Sequence, residues 1–226
     1  MPSKNVRKNY IENGYYHLYN RGVEKRKIFL DQQDYSVFLS YLKSYLSKRN
    51  DLELRNKISN PEIPWTEKDK YLKELRLNNF HDEIKLIAYC LMPNHFHFFI
   101  KQINLNSIDK FMNSLCTRYS MYFNKKYKRV GSLYQGTYKA VLIENESQFL
   151  NLSRYIHKQA LALQGVTLQA QPSSYDQFIG TKNADWIQPD EILEYFSKTI
   201  DSLSYEAFVK QEDDLQSLKN IKLDED

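Results

Sequence analysis

The sequence predicts an α+β fold built on an antiparallel sheet. Three observations carry this prediction. Short apolar and aromatic runs of strand length alternate with longer segments whose apolar residues recur at helical spacing. A Pro-Asn pair separates two of the strand-length runs at the distance typical of a hairpin. The chain has 226 residues, of which 42% are hydrophobic, enough for a large core and too many for a mainly disordered protein.

The first third of the chain is predicted to contain a strand, a helix and an insertion. Residues 15–21, YYHLYNR, are rich in aromatic residues, which favours a strand. Apolar residues then recur every three or four positions over 35–48, which predicts a helix with Asp34 as its N-cap. The polar stretch 49–83 contains two prolines and is predicted to be an insertion or flexible excursion, with a helix at 66–77.

A predicted hairpin and a long helix follow. Residues 84–91, IKLIAYCL, form an apolar run of strand length, and residues 95–101, HFHFFIK, form a second strand. Pro93 and Asn94 mark the turn between them. A helix is expected from a Ser107 cap to about Lys126, because apolar and aromatic side chains then share one face.

The last predicted elements complete a known order of strands and helices along the chain. Residues 137–143 are a short apolar strand, and residues 146–162 are an amphipathic helix. The order β-α-β-β-α-β is the ferredoxin-like plan, and the last helix lies beyond that core. We therefore predict a catalytic or binding domain over 1–164, interrupted by the insertion, and a C-terminal appendage over 165–226 that ends in an acidic tail.

Charge is distributed unevenly along the chain. The formal net charge is +4, but residues 1–30 are strongly basic and residues 201–226 strongly acidic. The segment 110–143 holds seven Lys or Arg residues, interleaved with tyrosines, and no acidic residue. Cations that neutralise phosphates beside rings that stack on bases suit single-stranded nucleic acid, although a solvated helix face above packed tyrosines explains the same pattern.

The cysteines and the apolar runs indicate a compartment. Cys90 and Cys116 are too few for a disulfide scaffold and lie in apolar surroundings, as free thiols do in a reducing compartment. No apolar run reaches the roughly 18 residues of a membrane helix. The basic N-terminus lacks the apolar stretch of a secretory signal. These features predict a cytoplasmic protein without a membrane partner.

Two histidines are the first candidates for chemistry. His95 and His97 stand two apart on a predicted strand, so that both imidazoles project from the same face. Neutral imidazoles held side by side can bind a divalent cation. The alternative is a pair of hydrogen-bonded or exposed histidines on an edge strand.

The last predicted helix offers a second group of candidates. Tyr155 and Gln159 are four residues apart and therefore neighbours on one helical face. Gln159 carries a carbonyl oxygen that hard cations accept, and Tyr155 carries a potential nucleophile. His157 faces away from both and is not expected to be a ligand. The alternative for Tyr155 is a core aromatic whose hydroxyl reaches the surface.

These blocks, in this order, resemble a known family. The chain is similar to the single-tyrosine HUH transposases of insertion sequences and, among them, to the REP-associated tyrosine transposases. The matching segments lie between about residues 10 and 180. They are YHLYNRG at 16–22, AYCLMPNHFHFF at 88–99, RYSMYFNKKYKRVGSLYQGTYK at 118–139, LSRYIHKQA at 152–160 and PSSY at 172–175.

The resemblance implies an HUH-endonuclease fold and a specific reaction. By this resemblance, His95, His97 and Gln159 hold Mg²⁺ or Mn²⁺, and Tyr155 attacks the scissile phosphate of single-stranded DNA that bears hairpins. The product is a 5′-phosphotyrosine and a free 3′-OH. Many REP-associated relatives have Asn-Pro where this chain has Gln159-Ala160, so the subgroup is left open, as is the choice between a monomer and a homodimer.

Further side chains are candidates for DNA contact or for a positive potential near the tyrosine. All are basic, polar or aromatic residues in the matched blocks: Arg21, Arg118, Arg129, Gln135, Tyr138, Lys139 and Arg154. Surface ion pairing, solvation and turn closure are the alternatives for them. Three rival functions share the pattern: a non-catalytic regulator that binds hairpin DNA, a replication initiator or relaxase-like nickase, and an RNA-binding module.

Overall fold

A four-stranded antiparallel sheet organises the protein. The computed structural model describes residues 8, 10–162 and 171–211. The strands are β1 (Tyr15–Arg21), β2 (Ile84–Met92), β3 (His95–Gln102) and β4 (Lys139–Leu142). They lie in the order β2-β3-β1-β4, and each neighbouring pair is antiparallel. This is the ferredoxin-like order, so the predicted α+β class is confirmed.

Helices cover both faces of the sheet. The helices are α1 (Gln32–Leu46), α2 (Asp51–Ser59), α3 (Trp65–Arg76), α4 (Ser107–Lys126), α5 (Glu146–Ala162), α6 (Tyr175–Phe178), α7 (Asp190–Leu193) and α8 (Tyr205–Lys210). Helices α1 and α4 pack on one face, and α5 packs on the other against β2 and β3. Helices α2 and α3 form most of the insertion that was predicted at residues 49–83.

Strand alternation divides the core into two layers. Leu18, Phe96 and Phe98 project into the layer shared with α1 and α4, where all three are fully buried. Phe99 projects to the opposite side and packs with α5 and the C-terminal helices. Because period-two alternation gives odd-numbered β3 residues to the second layer, the predicted histidine pair is on the α5 side.

Two predicted helix starts were wrong by a few residues. Helix α1 begins at Gln32, and its N-cap is Asp31 rather than Asp34. The side chain of Asp31 accepts from the Asp34 backbone N–H, and that of Asp34 accepts from the Asp31 N–H, so that the two form a reciprocal capping box. Asn106 occupies the N-cap position of α4, while Ser107 is already helical and donates its hydroxyl to Glu83.

Other boundaries also differ from the prediction. The insertion contains α2 as well as the helix expected near 66–77. The sequence hides α2 because all but one of its residues remain outside the buried core. Strand β4 spans only four of the seven residues expected at 137–143. Helix α5 has the predicted bounds.

The C-terminal segment 171–211 packs against strand β2 at the edge of the sheet. The Leu91 N–H donates to the Pro172 carbonyl at 2.9 Å, and Cys90 forms a bridge with Ser173. The segment therefore docks on the outer edge of β2. The predicted boundary at 164/165 and the acidic residues beyond 211 lie outside the described residues.

Two further expectations concern the cysteines and membranes. Cys90 is buried and Cys116 half-buried, and both are free thiols. Within the described ranges, none of the helices has the length and apolar character that crossing a bilayer requires.

Candidate active site

The histidine pair lies in the middle of the sheet. β3 has β2 on one side and β1 on the other, so the edge-strand interpretation of His95 and His97 was wrong. Their ring centroids are 4.8 Å apart and the rings are nearly perpendicular. A central strand is held by hydrogen bonds on both edges, so the backbone beneath the pair is rigid.

Helix α5 brings Tyr155 to the same place. The ring centroids of Tyr155 and His97 are 5.5 Å apart in an edge-to-face contact. Gln159 is half-buried one helical turn later. The tyrosine and the histidine pair therefore meet within this chain.

Competing tyrosines lie in the other layer. Tyr119 is fully buried among α1 and α4 and donates its hydroxyl to the Ile28 carbonyl at 2.6 Å. Tyr122 donates to Asp34, and Tyr134 is buried in the same layer. Because the sheet separates them from the histidines, only Tyr155 among the four approaches the pair.

The protonated nitrogen of His95 follows from its neighbours. The Asn94 Nδ2 donates to the Lys25 carbonyl at 3.2 Å, which fixes the orientation of the amide. The Asn94 Oδ1 then lies 2.7 Å from His95 Nδ1. An amide oxygen only accepts, so Nδ1 of His95 carries the proton. The lone pair of the neutral ring is on Nε2.

His97 is engaged through the same nitrogen. Its Nδ1 is 2.9 Å from Nε2 of His17 on β1, and both imidazoles are fully buried. Its Nε2 is buried and has no hydrogen-bond partner among the residues that the structure describes. His17 is not among the residues that the sequence predicted for the site. The signal was present, because the ferredoxin-like order places β1 beside β3 and His17 alternates onto the same face.

Burial keeps the pair neutral. Desolvation, with a contribution from the Arg21 charge, lowers the pKa of His95 to about 4. Desolvation, together with His17 and His95, holds the pKa of His97 well below its usual value. Both imidazoles are therefore uncharged at neutral pH, the form that ligates metals.

The residues fit a divalent cation with nitrogen and oxygen donors. A buried imidazole nitrogen without a partner, as on His97, is the atom that a metal satisfies. Gln159 is half-buried one turn after Tyr155 on the facing helix, and an amide oxygen is a donor that Mg²⁺ and Mn²⁺ accept. Among the described residues there is no group of three or more His, Cys, Asp or Glu side chains that could hold a metal.

Comparison with protein families bears on this arrangement. A family model described as "Transposase IS200 like" matches residues 63–159. The matched segment, which is less than half of the chain, is similar to IS200-like transposases. The match includes the histidine pair, Tyr155 and Gln159, and it confirms the resemblance that the sequence blocks indicated.

Comparisons with whole proteins give weaker likenesses. The structure of a REP-associated tyrosine transposase bound to a REP hairpin has 13% identity and a TM-score of 0.47, with 82% of this chain and 92% of that chain covered. A crystal structure assigned as a transposase, from Deinococcus radiodurans R1, has 14% identity and a TM-score of 0.36, with 67% and 95% covered. A comparison with curated proteins found no match.

Arg21 and Gln135 adjoin the transposase-like histidine pair. Arg21 faces His95 directly in the β1–β3 register. Its Nε donates to Gln135 Oε1 at 2.7 Å, and the Gln135 N–H donates to the Arg21 carbonyl at 2.9 Å. A cationic side chain and an amide thus flank the end of the pair nearest the hairpin turn.

The other predicted DNA contacts lie elsewhere or hold the fold. Arg118 stacks on Tyr41 at 3.8 Å in the α1–α4 layer, and Tyr138 is buried there. Arg129 donates to Asn124 at 3.2 Å. The structure brings none of these three to the histidines.

Two more predicted contacts lie closer to the site in the chain. Arg154 precedes Tyr155 but is buried, and its guanidinium stacks on Phe208 of α8 at 4.5 Å. Lys139 pairs with Tyr19 in the β1–β4 register and is half-buried on the edge strand. Of the predicted set, Arg21 and Gln135 therefore adjoin the pair, and Lys139 lies on the same sheet face further out, because Tyr19 is paired with both Lys139 and His97.

Proposed function

We propose that this protein is a single-tyrosine transposase that nicks and rejoins hairpin-bearing single-stranded DNA through a 5′-phosphotyrosine intermediate. The observation that carries the proposal is the contact between Tyr155 and His97, whose ring centroids are 5.5 Å apart. A phenol beside an imidazole pair is placed to attack a phosphate held at that pair. The match of residues 63–159 to IS200-like transposases supports the reaction class.

We propose further that His95, His97 and Gln159 hold Mg²⁺ or Mn²⁺. A bound divalent cation polarises the phosphate and offsets the charge that develops in the transition state. The support is the donor chemistry, since both imidazoles are neutral and engaged at Nδ1 while an amide lies on the facing helix.

The proposed cleavage step balances without an energy cofactor. The Tyr155 hydroxyl gives its proton to solvent and its oxygen bonds to phosphorus, while the bond from phosphorus to the DNA 3′ oxygen breaks. That oxygen takes up a proton and leaves as a 3′-OH. The aryl phosphate ester remains reactive, so attack by a DNA 3′-OH reverses the step, joins strands and restores the tyrosine.

We propose Arg21 and Gln135 as contacts to the DNA strand that reaches the histidines. Arg21 supplies a permanent positive charge opposite His95 in the strand register, which suits a phosphate. Gln135 supplies amide groups to a phosphate or a base edge. The sites predicted at Arg118, Arg129, Tyr138, Lys139 and Arg154 stay predictions for other parts of the strand.

The test is covalent capture of DNA. Labelled single-stranded hairpin DNA from the flanks of the protein's own gene is incubated with Mg²⁺, Mn²⁺ or EDTA and run on a denaturing gel. We expect a metal-dependent protein–DNA adduct that Tyr155→Phe abolishes while DNA binding persists. Tyr195→Phe is the matched control, because Tyr195 is half-exposed on the surface, and its adduct should equal that of the wild type. Cleavage retained by Tyr155→Phe would refute the assignment.

One observation favours a second candidate function, the hairpin-binding regulator. Tyr155 is only 6% exposed, as a core aromatic would be. A regulator would bind hairpin DNA and give no adduct with either metal. The same gel therefore separates the two functions, with a filter-binding assay on the same oligonucleotides as its companion.

A further inference from the structure

His17 is the buried neighbour of a proposed metal ligand and has no role in the function proposed above. It lies on β1, is fully buried, and its Nε2 is 2.9 Å from His97 Nδ1. The two rings are stacked, with centroids 5.0 Å apart. Tyr19 and Tyr155 lie against the His17 ring, with centroid distances of 4.9 and 6.2 Å. The hydrogen bond is therefore shielded from water, where its direction matters most.

In the hydrogen bond between the two rings, either Nδ1 of His97 or Nε2 of His17 donates, and this choice decides which nitrogen of the neutral His97 carries the proton. When His97 donates from Nδ1, its Nε2 holds a lone pair. When His17 donates instead, the His97 proton is on Nε2, which is buried with no acceptor among the described residues. Both arrangements leave the buried Nε2 without a protein partner, but only the first gives that atom a lone pair that a cation can satisfy.

The neighbouring histidine provides an internal comparison. His95 donates from Nδ1 to Asn94 Oδ1 at 2.7 Å, in a direction fixed by the amide. Two different side chains, Asn94 and His17, thus engage the same ring nitrogen of two adjacent histidines. Outer hydrogen bonds of this kind fix the tautomer and orientation of metal-binding imidazoles.

We propose that His17 is a positioning residue that accepts a hydrogen bond from Nδ1 of His97 and so holds the His97 Nε2 lone pair available to a divalent cation. The inference rests on the proposed metal site. It adds a residue outside the matched region 63–159 to that site. It also means that strand β1, besides forming part of the sheet, carries a residue that orients a proposed metal ligand.

The first measurement needs no metal. Long-range ¹H–¹⁵N correlation spectra of the ¹⁵N-histidine-labelled apoprotein at neutral pH report which nitrogen of each ring is protonated. We expect His97 and His95 both to be protonated at Nδ1. A wild-type His97 protonated at Nε2 would overturn the inference whether or not any variant folds.

Two substitutions then separate hydrogen bonding from packing. Gln places its Oε1 as many bonds from Cα as His places Nε2, so His17→Gln keeps an acceptor for His97. His17→Phe keeps a ring and removes the acceptor. We expect His17→Phe to shift His97 toward Nε2 protonation and to weaken Mn²⁺ binding, measured by electron paramagnetic resonance, by about 10- to 100-fold. His17→Gln should stay close to the wild type in both readouts.

A control and the remaining outcomes complete the test. His81→Gln changes a partly exposed histidine that bonds to the Leu46 carbonyl, and it should alter neither readout. An unchanged tautomer and unchanged Mn²⁺ affinity in folded His17→Phe would overturn the inference. A His17-dependent tautomer in a protein that binds neither Mn²⁺ nor Mg²⁺ would uphold the hydrogen-bond direction and refute the proposed metal site.

Discussion

The Nδ1 atom of His157 lies 2.7 Å from the hydroxyl of Tyr205. The other ring nitrogen is 2.8 Å from the Ser174 hydroxyl, so one buried imidazole bonds α5 to two parts of the C-terminal segment. As the helical spacing predicted, His157 faces away from the Tyr155 side of its helix. It attaches α5, the helix that carries Tyr155, to the C-terminal segment.

Removing the Tyr205 hydroxyl should destabilise the protein. Tyr205→Phe leaves a buried His157 nitrogen unpaired, which costs about 1–3 kcal/mol of unfolding free energy. Urea unfolding followed by circular dichroism measures the loss. Tyr195→Phe, at a ring 52% exposed, should change the free energy by less than about 0.5 kcal/mol. Equal stabilities of the two variants would show that the hydrogen bond contributes nothing.

Stability should fall in mild acid. Burial lowers the pKa of His157 to about 3 and that of His95 to about 4, while unfolded histidines titrate near about 6.5. Above pH 6.5 neither state takes up protons at these groups. Below it the unfolded state does and the folded state does not, so stability is lost as pH falls toward 4. Each group contributes at most about 1.4 kcal/mol per pH unit.

The measurement for this pH dependence is the urea midpoint between pH 7 and pH 4. His157→Gln removes one titrating group and should make the decline shallower. A midpoint that stays constant across this range would contradict burial of the neutral imidazoles.

Asn94 should control the proposed metal affinity through His95. Asn94→Leu removes the acceptor that holds His95 Nδ1, so Mn²⁺ affinity should fall about 10-fold or more. Asn79→Leu is the control. Like Asn94, Asn79 donates its side-chain amide to backbone carbonyls, but its partners are Ser44 and Ser47, which are not part of the proposed metal site. It should lower stability and leave Mn²⁺ binding unchanged. The same affinity in both variants would exclude the orienting role of Asn94.

Gly22 should tolerate no side chain. A Cβ there would lie 2.2 Å from the Arg26 carbonyl oxygen and 3.0 Å from an Ile28 methyl group. Gly22→Ala must therefore displace the loop that holds the hairpin turn, and it should cost about 1–3 kcal/mol. Gly136→Ala, where a Cβ meets nothing within 4 Å, is the matched control. Thermal unfolding of the two variants gives the comparison, and a Gly22→Ala protein as stable as the control would contradict it.

Arg21 should contribute to DNA affinity at the site. Arg21→Gln removes one phosphate contact, so binding of single-stranded DNA should weaken and the salt dependence should fall by about 0.7 in the logarithmic slope. Lys73→Gln removes an equal charge from the exposed face of α3, where Lys73 pairs with Asp69. Fluorescence anisotropy at several salt concentrations measures both, and equal losses would mean that only net charge matters.

The sequence by itself determined most of the fold and which residues are candidates for the site. Period-two alternation on HFHFFIK placed both histidines on one face, and four-residue spacing placed Tyr155 beside Gln159. These are local rules that depend on residues close together in the chain. The matched blocks added the family, and the strand order followed from the element order.

Only the tertiary structure decided which distant groups meet. His17 and His97 are eighty residues apart and bond because β1 lies beside β3. The same pairing puts Arg21 next to His95, while Arg118 and Tyr138 fall behind the sheet. The sequence shows that Arg21 and Arg118 are basic and that Tyr138 is aromatic. The strand register and the sheet face on which each residue lies are set by long-range packing. A local pattern therefore predicted what each residue can do, and the fold selected which of them share a site.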